Sequence, residues 1–223
     1  NKVDRSTLPF PFSIRSGMRA WNGLFFKEGE FKPDPNKSAE WNRGAYLVQG
    51  PGHCGTCHTP KNLLGGDKSD RPLQGAVLQG WFAPNITADR HKGIGQWSKD
   101  DLVQYLKTGA NKWTLASGPM AEAVTHSTSQ MTDADVTAIA TYLLDSRAGQ
   151  SAKPTPMAAD DPVMKAGAAI YKDSCSACHK GDGSGESQLF PRLAGSSLVQ
   201  SDDPTTLVRM VLHGSYAVAT PAA

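Results

Sequence analysis

The sequence predicts an all-α protein: two similar helical domains in tandem, with long loops wrapped around each functional centre. Three observations predict it. A pentapeptide pattern, Cys54-Gly55-Thr56-Cys57-His58, returns as Cys175-Ser176-Ala177-Cys178-His179, and the two copies use all four cysteines of the 223-residue chain. Each copy follows a segment with helical apolar periodicity. Between the copies, residues 149–161 carry Pro154 and Pro156 among alanines and serines, which is linker composition.

The repeated pattern states its chemistry. Two thiols three residues apart add to the two vinyl groups on one porphyrin edge, and the adjoining histidine is then held beneath the iron. A zinc site would bring its second ligand pair within a dozen to twenty residues. A thioredoxin-like pair would need a βαβ surround, which is not evident. A disulfide framework would leave the two histidines without a role. Two covalently bound c haems are therefore expected, on Cys54 and Cys57 and on Cys175 and Cys178, with His58 and His179 as axial iron ligands.

Taken in order, residues 1–37 form an aromatic arm. Leu8-Pro9-Phe10-Pro11-Phe12 is rigid and apolar, and Ile14 to Phe26 has the pattern of a short helix. So short an arm cannot bury itself, and either packs on the following domain or closes a preceding one. The first domain spans 38–148. Ser38 caps a helix with Trp41, Ala45 and Val48 on one face, and Gly50-Pro51-Gly52 ends it just before the first motif. Helix then Cys-x-x-Cys-His is the order in which small all-α cytochromes c begin. Thr59 to Gly95 is expected to be loop around the porphyrin, anchored by Leu73, Leu78, Trp81, Phe82, Ile86 and Ile94. Ser98 and Asp101 suggest a capping box, and Gly109 a helix stop. Thr132 starts a further helix with Val136, Ile139, Ala140 and Leu143 as its apolar stripe. The second domain, 162–223, repeats the scheme: Val163 to Tyr171 leads into the motif, and Pro204 to Gly214 matches Asp100 to Gly109.

Composition narrows the function. A hydrophobic fraction of 39% is modest for this length, which suits domains whose cores are partly filled by haem. A net charge of +2, dispersed along the chain, gives no reason to expect nucleic acid. No apolar run approaches the roughly 18 residues of a membrane span. The start at Asn1, without methionine or signal peptide, reads as a processed or cut-down form. Haem is joined to cysteines outside the cytoplasm, so a periplasmic address is expected on cofactor biology alone.

An electron-carrying iron needs a sixth ligand, and methionine raises its potential. In the first domain Met120 is expected to fill that role, from an irregular loop between two helices. Met131 precedes the Thr132 cap as a hydrophobic staple, and His126 is a further donor. In the second domain Met210 lies on a helix stripe and His213 at a helix end, so neither is expected to ligate. The offset from Gly109 to Met120, carried over from Gly214, falls past Ala223. The expectation is that the distal methionine and final helix of this domain lie in sequence not present here.

Trp41-Asn42-Arg43-Gly44-Ala45-Tyr46-Leu47-Val48, Gly52 to Asn62 with the first motif, Gly80-Trp81-Phe82-Ala83-Pro84-Asn85-Ile86-Thr87, Gly93-Ile94-Gly95-Gln96-Trp97-Ser98 and Gly118 to Val124 closely resemble the cytochrome c subunit of bacterial membrane-associated alcohol, aldehyde, gluconate and sugar dehydrogenases. Phe190 to Gly195 and Asp203-Pro204-Thr205 resemble the same family. The resemblance implies class I cytochrome c-like domains, three haems in the intact protein, and residues 1–37 as the tail of a first haem domain. It implies that Pro84, Asn85, Ile86 and Trp97 pack against the haem and its propionates, and it supports Met120. It also implies an electron-transfer subunit rather than a catalytic one, peripheral at the outer face of the inner membrane. Its partners would be a dehydrogenase subunit carrying pyrroloquinoline quinone (PQQ) or FAD as donor, and ubiquinone, another cytochrome or an oxidase as acceptor. A free-standing dihaem shuttle and a dihaem enzyme such as a peroxidase are the competing readings.

Overall fold

The computed structural model describes residues 9–10, 13–146, 151–187, 189–216 and 218–220. Leu8, Pro11 and Phe12 of the apolar arm, the start of the linker at Gly149 and the last three residues lie outside them.

The chain runs α1 (Gly17–Phe25), α2 (Ala39–Gln49), α3 (Gly55–His58), a hairpin of β1 (Ala76–Leu78) and β2 (Trp81–Ala83), α4 (Lys99–Thr108), α5 (Pro119–His126), a 3₁₀ turn (Thr128–Gln130), α6 (Asp133–Leu144), α7 (Pro162–Ser174), α8 (Ser176–His179) and α9 (Thr205–His213). Helix starts follow their caps. The Ser38 hydroxyl accepts from the Trp41 amide, and the Thr132 hydroxyl from that of Asp135. Ser98 and Asp101 form the reciprocal box, at 3.0 and 2.9 Å. Each such cap contributes about 1 kcal/mol. Gly109 closes α4 at φ 77°, a left-handed position that suits a residue without Cβ.

The core lies where α2, α4 and α6 meet. Leu47, Val48, Leu102, Leu106, Val136, Ile139, Ala140 and Leu143 are buried there, with Leu73 and Ile94 added from the long loop. The crossing of α2 on α6 is backbone against backbone: a Cβ at Gly44 would lie 1.9 Å from the Ala138 carbonyl oxygen. Polar pairs frame this crossing. Arg43 grips Asp135 through two bonds of 2.7 and 2.9 Å, and the Trp41 and Tyr142 rings meet edge-on at 5.0 Å.

Two expectations need correction. The stretch 59–95 is not all loop. Its centre folds into an antiparallel hairpin, with Ala76 opposite Ala83 and Leu78 opposite Trp81. Gln79 and Gly80 turn it at φ 51° and 76°, the double positive φ of a two-residue hairpin turn. Met120 is not in an irregular loop either. It sits in the first turn of α5, behind Pro119, whose fixed φ and missing N–H suit a helix start.

The arm docks. Trp21 Nε1 donates to the Leu64 carbonyl at 2.9 Å, and the Phe25 ring lies flush on Gly66, where a Cβ would be 2.3 Å away. In the C-terminal half, α7 and α9 keep open apolar faces: Val163 and Ile170, and Val211 and Leu212, are exposed. The two halves meet where β2 lies against α9. The Phe82 amide donates to the Thr206 hydroxyl at 2.8 Å, and that hydroxyl donates to the Phe82 carbonyl at 3.0 Å.

Candidate haem-attachment sites

At the first motif, α3 is one turn hung from the end of α2. The Cys54 amide donates to Val48 and the His58 amide to Cys54. This turn brings Cys54, Cys57 and His58 together within one helical turn. His58 is buried, 9% exposed, and its Nδ1 lies 2.6 Å from the Pro84 carbonyl oxygen. A carbonyl only accepts, so the ring proton is on Nδ1 and the Nε2 lone pair is free for a metal. Burial lowers the His58 pKa against the opposing pull of the Pro84 bond, which disfavours the protonated ring. Burial also pushes the Cys54 thiol up to about 11, so unlinked it would remain a protonated, weakly nucleophilic group.

The second motif repeats this arrangement. α8 is again one turn, with the His179 amide donating to Cys175, and His179 Nδ1 is 2.9 Å from the Pro191 carbonyl. Even the motif histidine's own carbonyl is used alike: His58 accepts from Gly75 at 2.7 Å and His179 from Gly185 at 3.0 Å. Gly75 and Gly185 both stand at positive φ. His179 is only half-buried, with Phe190 edge-on at 6.2 Å.

The donor set fits haem. All four cysteines are free thiols. Among the described residues no group of three His, Cys, Asp or Glu side chains is gathered to hold a bare ion. Each histidine is a lone, oriented nitrogen donor beside two thiols, as a porphyrin iron requires and a zinc cage does not.

Residues 41–147 match the cytochrome c family, and residues 162–222 match cytochrome c oxidase, cbb3-type, subunit III. Residues 41–147 are therefore a cytochrome c domain. Relatives of this cytochrome include the gluconate 2-dehydrogenase cytochrome c subunit of Pantoea cypripedii, 40% identical over 94% of this chain and 52% of the relative. The fructose dehydrogenase cytochrome subunit of Gluconobacter japonicus is 38% identical over 94% of this chain and 48% of the relative. The cytochrome c subunit of alcohol dehydrogenase (quinone) from Gluconacetobacter polyoxogenes is 35% identical over 93% of this chain and 48% of the relative. The chain thus spans about half the length of these three relatives.

Within the cytochrome, the other expected residues lie as follows. Ile86, Trp97 and Met120 border the same buried core as Cys54, and so do Met131 and Tyr105. Trp97 meets Tyr105 edge-on at 5.5 Å. Asn85 shapes the loop: its Oδ1 accepts from the Thr87 amide and hydroxyl at 2.8 and 2.6 Å. His126 and His213 are exposed. The Met210 sulfur accepts from the Ser117 hydroxyl at 3.6 Å, which engages it with the other half of the chain. Sequence reasoning missed Thr206, a buried hydroxyl whose partners are backbone groups far away in sequence. It also missed Pro191, whose carbonyl carries no side-chain signal.

Proposed function

We propose that this cytochrome is an electron-transfer unit with two covalently held haems in tandem domains, 38–148 and 162–223. Electrons enter from a dehydrogenase partner carrying PQQ or a flavin and leave to ubiquinone, another cytochrome or an oxidase. When bound, each haem supplies a one-electron Fe(III)/Fe(II) couple. The protein's part is to hold and tune it. The cysteine pairs at 54/57 and 175/178 would hold the porphyrins, and His58 and His179 would offer Nε2 to the irons. Met120 would give the first haem's iron a second protein donor, and Pro84, Asn85, Ile86 and Trp97 would line its loop side. The intact protein would carry a third haem and lie at the periplasmic face of the inner membrane. No helix among the described residues is long and apolar enough to cross a membrane.

The observation that carries this reading is the repeated histidine–proline contact, at 2.6 Å and 2.9 Å. It orients two separate imidazoles alike, each with Nε2 left free, and relatives of this chain are named as cytochrome subunits of dehydrogenases. The test is rapid mixing of the ferric protein with a reduced dehydrogenase of the gluconate or fructose class. Reduction of both haems within the dehydrogenase's turnover time supports it. Haems that stay ferric with that donor, yet turn over peroxide, would favour the enzyme reading.

A further inference from the structure

The two sites differ in the length of chain between histidine and proline. Pro84 follows its histidine by 26 residues and Pro191 by only 12. The extra length at the first site contains the β1–β2 hairpin, and this hairpin lies against the other half of the chain. Thr206 of α9 holds both backbone groups of Phe82. Beside it, the Arg209 guanidinium sits 4.8 Å from the centre of the Trp81 ring. The same ring lies flush on Gly118, where a Cβ would come within 2.5 Å of its carbons. Gly118 is the N-cap of α5, at φ 53°, and Met120 follows in the first turn. The neighbouring Ser117 bonds to Met210 of α9. The start of α5 is therefore held between its own hairpin and a helix of the second half.

We propose that Trp81 is a positioning residue for Met120, held in place by Arg209 and Thr206, so that docking of the second haem domain sets the distal bond of the first. This rests on the reading of Met120 as axial ligand. The physical reason is local. Gly118 has no side chain and a backbone conformation open mainly to glycine, so it does little by itself to fix the entry angle of α5. The Trp81 ring supplies that constraint from outside. A cation over an indole face favours one ring placement, and the bidirectional Thr206 hydroxyl fixes the strand that carries it. With the ring released, a larger fraction of first-haem sites has Met120 off the iron. Such a site binds outside ligands more tightly and loses the potential-raising effect of sulfur.

The test uses the ferric protein with both haems attached. Met120→Ala first defines which part of the far-red sulfur-to-iron absorption belongs to the first haem. If that band does not change in Met120→Ala, the ligand reading fails and the proposal falls with it. Given that it changes, Arg209→Gln and Trp81→Ala are expected to weaken the Met120-dependent band, lower the first haem's potential and tighten imidazole binding there by roughly tenfold. Arg209→Lys, which keeps a cation by the ring, is expected to restore all three. Wild-type band, potential and imidazole affinity in Arg209→Gln would overturn the proposal while leaving the ligand reading intact. Arg209 is exposed, so this variant decides the matter even if Trp81→Ala fails to hold haem.

Discussion

His58 and Pro84 meet through one contact, the imidazole Nδ1 at 2.6 Å from the proline carbonyl oxygen. It fixes the tautomer, the ring plane and the direction of Nε2 in a single step. His179 and Pro191 do the same at 2.9 Å, but with the imidazole half-buried rather than buried. The two Nδ1 protons should therefore differ in solvent exchange. In proton NMR of the haem-loaded protein in deuterated water, two ring N–H signals are expected, and that of His179 should fade first. Equal, immediate loss of both would contradict the contact.

The crossing at Gly44 leaves no room for a side chain, because the obstacle is the Ala138 backbone. Gly44→Ala must push α2 from α6 or bend one of them. A cost at the upper end of roughly 1–3 kcal/mol is expected, read by denaturant unfolding. The haem spectrum of the folded fraction should be unchanged, since the motif hangs from the far end of α2.

Thr206 satisfies both backbone groups of Phe82 across the contact between halves. Thr206→Val keeps the shape and removes both bonds. Leaving those groups unpaired should cost roughly 1–3 kcal/mol. Limited proteolysis in the described linker, residues 151–161, should quicken accordingly. An unchanged cleavage rate would show that the halves do not depend on this hydroxyl.

Asp89 ties the linker to the first half. Burial on its own would raise the Asp89 carboxyl, but bonds from Ser151, Lys92 and His91 outweigh it and hold the group down to about 2. A carboxyl lowered on folding contributes stability that is complete above its ordinary value and is lost as pH falls through the folded one. That loss should fall between the ordinary aspartate value of 3.8 and about 2. Asp89→Asn should be less stable at neutral pH and show a shallower acid dependence over that window, measured by thermal unfolding.

Much of this was readable in the residues. Cysteine spacing marked the two pentapeptides that fold as the single turns α3 and α8, and Ser38, Ser98 and Thr132 marked helix starts because their caps act over three residues. The hairpin was not readable: its strands are three residues each, and Gln79 is a weak turn signal. The proline carbonyls were hidden for a different reason. The acceptor is backbone, and it lies at unequal distances from the two histidines. Met120 could have been placed on a helix, since Gly118-Pro119 is a helix-start signature. The contact between the halves was beyond reach, because Trp81, Gly118, Thr206 and Arg209 are brought together only by the fold.

Two c haems, one held covalently at each motif, are expected in the purified chain. The direct measurement is the haem content and intact mass of the purified chain, with Cys54/Cys57→Ala and Cys175/Cys178→Ala variants alongside. Two acid-stable haems per chain, with one lost in each double variant, is the predicted result. Haem that extracts into acidified solvent, or a count unchanged by either double variant, would contradict it.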